Sequence, residues 1–187
     1  MKKYQIIYAD PPWEYDAGRC LAKKSVLSKG GDVPYSYMNL REICSLRVDN
    51  ITDKNCLLFM WTTGPKLNQA FDVGMSWGFI YSTIGFVWDK VNTNPGYYTL
   101  SSAEICLVFK KGKIPLPRGD RNVKQFLQEK KHEHSRKPAE IRRRINQMFP
   151  DQNKIELFAR KEDTLFELED WKGWDVWGNE VESDINL

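Results

Sequence analysis

Tyr4-Gln5-Ile6-Ile7-Tyr8-Ala9-Asp10-Pro11-Pro12-Trp13 runs from apolar to reactive within ten residues. The first six residues read as a buried strand. The last four place a carboxylate, two rigid prolines and an aromatic ring at its end. Proline fixes φ and cannot donate, so such a loop is stiff and its carbonyls are left as acceptors. An amino group on an aromatic ring is a poor nucleophile because its lone pair is delocalised into the ring. Acceptors from Asp10 and the Pro11 carbonyl could take both amine hydrogens and favour a pyramidal nitrogen whose lone pair faces an electrophile, while Trp13 stacks on the ring. The structural alternative is a proline-rich turn closing an edge strand.

Outward from this strand, strands alternate with helices. Residues Tyr15 to Tyr35 are polar and rich in Gly, Lys and Ser, which fits a mobile segment able to act as a substrate lid. Met38 to Leu46 reads as a short helix capped by Asn39, with Glu42 three positions on. Cys56 to Trp61 is an apolar run typical of a strand covered on both faces, and Lys66 to Trp77 has helical spacing with Leu67, Ala70, Phe71 and Met75 on one side. Phe79 to Trp88 and Ala103 to Phe109 read as strands, with a loop at Asn92 to Gly96 between them. A basic stretch from Lys113 to Lys137 precedes a helix from Ala139 to Phe149, entered through Pro138, with Ile141, Ile145 and Met148 inward and Arg142, Arg143 and Arg144 largely outside. Lys154 to Ala159 is a further strand. The pattern predicts an α/β fold with a mostly parallel sheet covered on both faces, in which Asp10 and Arg160 open on one rim.

The 187 residues suit a single domain, with mobile loops at about 15–35, 92–101 and 113–135. The net charge of +3 is too small to establish a nucleic-acid partner by itself. Cys20, Cys44, Cys56 and Cys106 lie far apart and read as reduced thiols. His132 and His134 are the only histidines and have no companion ligands, so no metal site is expected. No apolar stretch is long enough to cross a bilayer and no charged-then-apolar leader precedes the first strand, so a cytoplasmic protein is expected. No Gly-x-Gly-x-x-Gly turn marks a nicotinamide enzyme.

Four segments taken together resemble the MT-A70-like family, which contains the catalytic subunit of the messenger-RNA N6-adenosine methyltransferase and phage and bacterial DNA-adenine methyltransferases. They are Asp10 to Trp13, Leu58-Phe59-Met60-Trp61-Thr62-Thr63, Glu133-His134-Ser135-Arg136-Lys137-Pro138, and a tail pairing Lys154 to Arg160 with Gly173 to Glu180. The resemblance implies a Rossmann-like methyltransferase fold in permuted order, the reactive motif preceding the cofactor strand, and S-adenosylmethionine as cofactor. It implies that Asp10 and Pro11 hold the adenine amine, that Trp13 stacks beside it, and that Pro12 belongs to the same catalytic motif. Lys137 would meet the methionyl carboxylate, Glu156 and Arg160 the ribose region, and Asn179 with Glu180 the adenosine end, with Asp10 also bordering the cofactor. Tyr15, Trp61, His134 and Arg136 are candidates on the substrate side.

The implied reaction is direct methyl transfer to the N6 amine of adenine in nucleic acid. DNA is favoured over RNA because the chain reads as a minimal catalytic domain. An RNA methyltransferase and a non-catalytic nucleic-acid-binding subunit are the alternatives, and a homo- or hetero-oligomer is compatible with either. A paired adenine hides its amine in the duplex, so the base must be flipped or already unpaired. Arg118, Arg121, Lys124, Lys130, Lys131, Arg136 and Arg142 to Arg144 are candidate phosphate contacts. Residues 161–171 are longer and more acidic than the family's usual basic link, and read as a solvated helix or a partner surface.

Overall fold

The computed structural model describes residues 2–14, 37–96, 98–130, 136–160 and 171–187. The strands are β1 (Tyr4–Ala9), β2 (Thr52–Thr62), β3 (Ile80–Pro95), β4 (Leu100–Lys111), β5 (Phe126–Gln128), β6 (Lys154–Leu157) and β7 (Trp174–Trp177). They form one sheet in the order β5-β3-β4-β2-β1-β6-β7. Only β4 runs against its neighbours, while β1 pairs in parallel with both β2 and β6, β6 with β7, and β3 with β5. This is the mostly parallel sheet that the strand–helix alternation predicts, in keeping with the Rossmann-like fold that the family resemblance implies. The apolar runs of β1 and β2 lie between other strands and are buried on both faces, which is why neither shows strict alternation.

Helices α1 (Leu40–Ser45) and α2 (Leu67–Ser76) cover one face, where Ile43, Ala70, Val73 and Trp77 pack with Ile7, Leu58 and Phe109. Helix α3 (Ala139–Met148) covers the other, setting Ile141 and Ile145 beside Ile6, Phe59 and Trp61. The expected cap of α1 is present: the Asn39 side chain accepts from the Glu42 amide at 3.0 Å and Glu42 accepts from the Asn39 amide at 2.8 Å. On α2 the buried stripe is Ala70, Val73 and Gly74, and Met75, expected inside, is 61% exposed. Gly74 explains the rotation: a Cβ there would lie 2.4 Å from the Phe109 ring, so the helix approaches β4 through its bare backbone.

Two other expectations are corrected. Residues expected as a loop at Asn92 to Gly96, within the wider loop 92–101, are largely paired: β3 continues to Pro95, with Asn94 opposite Ser101 and Pro95 opposite Leu100. Polar, exposed side chains concealed this strand because an overhanging hairpin has no core to face. Within the 113–135 stretch, Phe126–Gln128 adds β5 to the edge of the sheet. The lid at 15–35, residues 131–135 and the acidic stretch up to residue 170 lie outside the described residues.

Candidate active site

The carboxyl ends of β1, β2, β6 and β7 open on one rim, as the α/β pattern requires. Asp10 follows β1 there. Three adjoining hollows meet at it, and Asp10 and Arg160 line all three. The first is walled by Pro11, Pro12, Trp13, Tyr37, Thr62, Thr63, Glu104 and Lys137. The second runs along Met38, Phe158, Ala159, Trp177, Gly178, Asn179 and Glu180. The third holds Tyr8, Arg136, Lys137, Arg142, Glu156 and Phe158.

The reactive motif is fixed by backbone bonds. The Pro11 carbonyl accepts from the Trp13 amide at 2.8 Å and the Pro12 carbonyl from the Met38 amide at 3.0 Å, joining the loop to the chain entering α1. The Pro11 carbonyl, expected to face an amine, therefore has one of its two lone pairs engaged. Trp13 is 5% exposed and its indole N–H donates to the Trp61 carbonyl at 3.2 Å. It is a wall of the hollow, not a free stacking plate.

Behind the loop lies a buried chain of alternating charges. Lys137 Nζ stands 2.8 Å from Asp10 Oδ2 and 3.2 Å from Glu104 Oε2, and Glu104 Oε1 is 3.1 Å from Lys90 Nζ. Burial pushes the Glu104 carboxyl up, but the Lys137 and Lys90 ammoniums overcome this and hold it below its ordinary value. Burial likewise works against the Lys137 ammonium, and Asp10 and Glu104 raise it above its ordinary value. Lys137 thus stays a cation and Glu104 an anion across neutral pH. Among the described residues Asp10 Oδ1 has no hydrogen-bond donor, so one oxygen of an anchored carboxylate remains to accept from a ligand.

Trp61, a substrate-side candidate, is corrected: it is fully buried and lines none of the three hollows. Its indole N–H donates to the Tyr8 hydroxyl at 2.6 Å, and the Lys137 ammonium sits 5.7 Å from its ring centroid. It supports the site from beneath. Glu156 borders the third hollow and pairs with Arg142 Nη1 at 2.8 Å. Arg142, expected outside as a phosphate contact, is buried because position 142 falls beside Ile141 and Ile145 on the inward stripe of α3, where Glu156 balances its charge. Arg144 is also engaged, donating to Glu140 and to the carbonyls of Lys124 and Phe126. Arg160, Asn179 and Glu180 line the second hollow, and Arg136 and Arg160 the third. Tyr15 and His134 lie outside the described residues.

Sequence reasoning missed Glu104, Lys90, Phe158 and Trp177. A carboxylate at the head of the apolar run Ile105 to Phe109 was the available signal for Glu104, because a charge in a buried strand is costly unless paired. Phe158 has φ 61° and leaned on Trp77 and Trp177 it forms an aromatic side to the second hollow, a left-handed turn that no local sequence rule assigns to phenylalanine. Gly178 closes that hollow so tightly that a Cβ would lie 2.5 Å from the Ala159 carbonyl oxygen.

Among the described residues no group of His, Cys, Asp and Glu could hold a metal ion, and no helix is long and apolar enough to cross a membrane. Cys44, Cys56 and Cys106 are free thiols.

A family model described as MT-A70 matches residues 4–180. The chain is 47% identical to the type II methyltransferase M.MunI of Mycoplasma sp. over 96% of its own length and 78% of the relative's. It is 28% identical to a putative N(6)-adenosine-methyltransferase MT-A70-like protein of Medicago truncatula, and 25% identical to the N(6)-adenosine-methyltransferase catalytic subunit METTL3 of Homo sapiens. Both alignments take in 96% of the chain but only 26% and 28% of those relatives.

Proposed function

Because the chain belongs to the MT-A70 family, we propose that this methyltransferase moves the methyl group of S-adenosylmethionine to the N6 amine of adenine in nucleic acid, with DNA the preferred polymer. The observation that carries this reading is the Asp10 carboxylate, anchored through one oxygen by buried Lys137 at the point where all three hollows meet. Similarity at 47% to a type II methyltransferase, against 25–28% to the adenosine methyltransferases, supports DNA over RNA.

The residues fit the cofactor. The second hollow offers an aromatic side in Phe158 and Trp177 for a purine, and an amide and a carboxylate in Asn179 and Glu180 for its polar edge. The tight backbone approach at Gly178 shapes that end. Glu156 can accept from ribose hydroxyls, and Lys137 and Arg160 supply cations for a carboxylate. When bound, S-adenosylmethionine supplies an electrophilic methyl carbon on a sulfonium whose sulfur departs as a neutral thioether.

Asp10 Oδ1 accepts a hydrogen from the adenine amine and turns its lone pair toward the second hollow. Lys137 prevents the carboxylate from rotating away, so alignment is in place before reaction. As the nitrogen–carbon bond formed and the sulfur–carbon bond broke, the nitrogen would become positive, and the adjacent Asp10 carboxylate would stabilise that charge until the extra proton passed to solvent. Pro11 and Pro12 keep the acceptor loop from reorganising.

The test is incubation with tritiated S-adenosylmethionine and, separately, unmethylated DNA and RNA, followed by nucleoside analysis. Label in N6-methyladenine from DNA is the expected result. Cofactor binding without label in either polymer would identify a scaffold subunit instead.

A further inference from the structure

We propose that the tip of the β3–β4 hairpin, through Tyr98 and Leu100, is a wedge that enters a nucleic-acid duplex and fills the place vacated by the target adenine while that base lies against Asp10. The inference rests on the function proposed above and concerns how the same site obtains a paired base.

The hairpin overhangs the cleft. Thr62, a wall of the first hollow, is level with Ile105, and Ile105 with Val87. Beyond that level β4 continues for five residues to Leu100, about 16 Å at ~3.3 Å per residue. A groove of duplex DNA is only about 7.5–8.5 Å deep. Phosphates resting at the rim therefore leave the tip length enough to reach the base stack.

The overhang is braced at its root. Asp89 pairs with Ala103 and Asn94 with Ser101, so β3 carries three residues more than β4 between these levels. Within this bulge Val91 adopts φ 65°, a conformation unfavourable for a β-branched residue, and its amide donates to Asp89 Oδ1 at 3.0 Å. Gln128 donates to the other Asp89 oxygen at 2.9 Å, and the Trp88 indole donates to the Glu129 carbonyl at 2.7 Å. Lys90 and Glu104, at the same root, join the hairpin through Lys137 to Asp10. The tip is thereby held in register with the carboxylate that would receive the base.

Its chemistry suits a polyanion with apolar base faces. Tyr98 is 100% exposed and Leu100 67% exposed. Residues 91–103 contain no charged side chain, and Asn, Thr and Ser fill the remaining polar positions. The hairpin itself carries no carboxylate to oppose phosphates, and aromatic and aliphatic wedges are the groups that part base steps. A protein partner is the weaker fit. Among the described residues of the hairpin, Val91, Tyr98 and Leu100 are the large exposed apolar side chains, a narrow wedge rather than a broad apolar face.

The test is the double variant Tyr98→Ala/Leu100→Ala, assayed on the same unmethylated genomic DNA in native and heat-denatured form. If the wild type does not act on denatured strands, reannealed mixed-sequence DNA, whose mismatches leave adenines unpaired, takes their place. Expected is a loss of kcat/KM of about tenfold or more on native DNA, the scale of one lost stacking contact, with little change on the unpaired substrate. Tyr98→Phe should retain duplex activity. Equal loss on both substrates, no loss on either, or loss accompanied by a change of oligomeric state in sedimentation would overturn the wedge. Failure of the wild type to methylate any polymer would instead defeat the functional reading, and the wedge with it.

Discussion

Replacing Glu104 by glutamine removes the carboxylate that Lys90 and Lys137 share. The side chains of Glu104, Lys90 and Lys137 are 9%, 11% and 13% exposed, so water screens little of the resulting imbalance. Lys137 keeps Asp10, at 2.8 Å, but Lys90 has no other carboxylate partner among the described residues. Removing one member of a buried ion pair costs about 3–5 kcal/mol; the low end applies because the glutamine carbonyl can still accept from one ammonium. For a chain of this size about 3 kcal/mol lowers Tm by roughly 6–12 °C. The pH dependence gives the mechanism a signature. Glu104 is held below its ordinary value of 4.5, so its stabilisation is complete above that value and is lost as pH falls through the lower folded value. Lys137 is raised above 10.5, so its share is complete below 10.5 and is lost as pH rises through the higher folded value. The gap between wild type and Glu104→Gln should therefore be widest from about pH 5 to 10 and close in acid. Urea unfolding of both proteins at neutral and acid pH measures it. A cost below about 1 kcal/mol at pH 7, or a gap that does not narrow in acid, would refute the claim that these charges are desolvated and mutually dependent.

Four further outcomes are expected. Asp10→Asn should lower kcat by about 10²–10³ in the tritium assay while circular dichroism stays unchanged; near-normal turnover would remove Asp10 from the reaction. Gly178→Ala should weaken binding of S-adenosylhomocysteine about tenfold by calorimetry, since the new Cβ must displace the turn from Ala159; an unchanged Kd would place the nucleoside elsewhere. Arg142→Met should cost about 1.5–3 kcal/mol in urea unfolding by removing the guanidinium that pairs with half-buried Glu156 at 2.8 Å, whereas exposed Arg143→Met should stay within about 0.5 kcal/mol. Gly74→Ala should cost about 1–3 kcal/mol because the Phe109 ring occupies the space a methyl needs, and a neutral effect would mean that α2 can slide on the sheet.

Much of this was legible in the chain because burial writes itself into strongly periodic or continuous apolar runs. Strands β1, β2 and β6 and helices α2 and α3 follow from such runs, and α1 from its cap. Strand β7 carries no such signal, because Trp174 and Val176 alternate with Asp175 and Trp177 over four residues, too few for a period. The hairpin overhang was missed for the opposite reason, since hydrogen bonding alone holds it extended. At the site, residues next to a strand end were readable: Asp10, Arg160 and Asn179 lie on the expected rim. Pairings between distant segments were not. Nothing local links Lys90 to Glu104 or Arg142 to Glu156, because a charged side chain in a sequence carries no mark of which counter-ion the fold will bring to it.

Strand β1 stands between β2 and β6, so the sheet divides at the strand that carries the reactive carboxylate. On the proposed assignment the flank built from residues 52–111 receives the base, and the flank built from residues 139–180 receives the methyl donor. β5 extends the first flank, so the strands from residues 52–128 stand on one side of the six-residue β1 and those from residues 154–177 on the other. Relatives could therefore diverge on the β2–β4 side, changing the base-side surface, while the strands after α3 that wall the donor hollow stay unaltered, with Asp10 and Lys137 common to both.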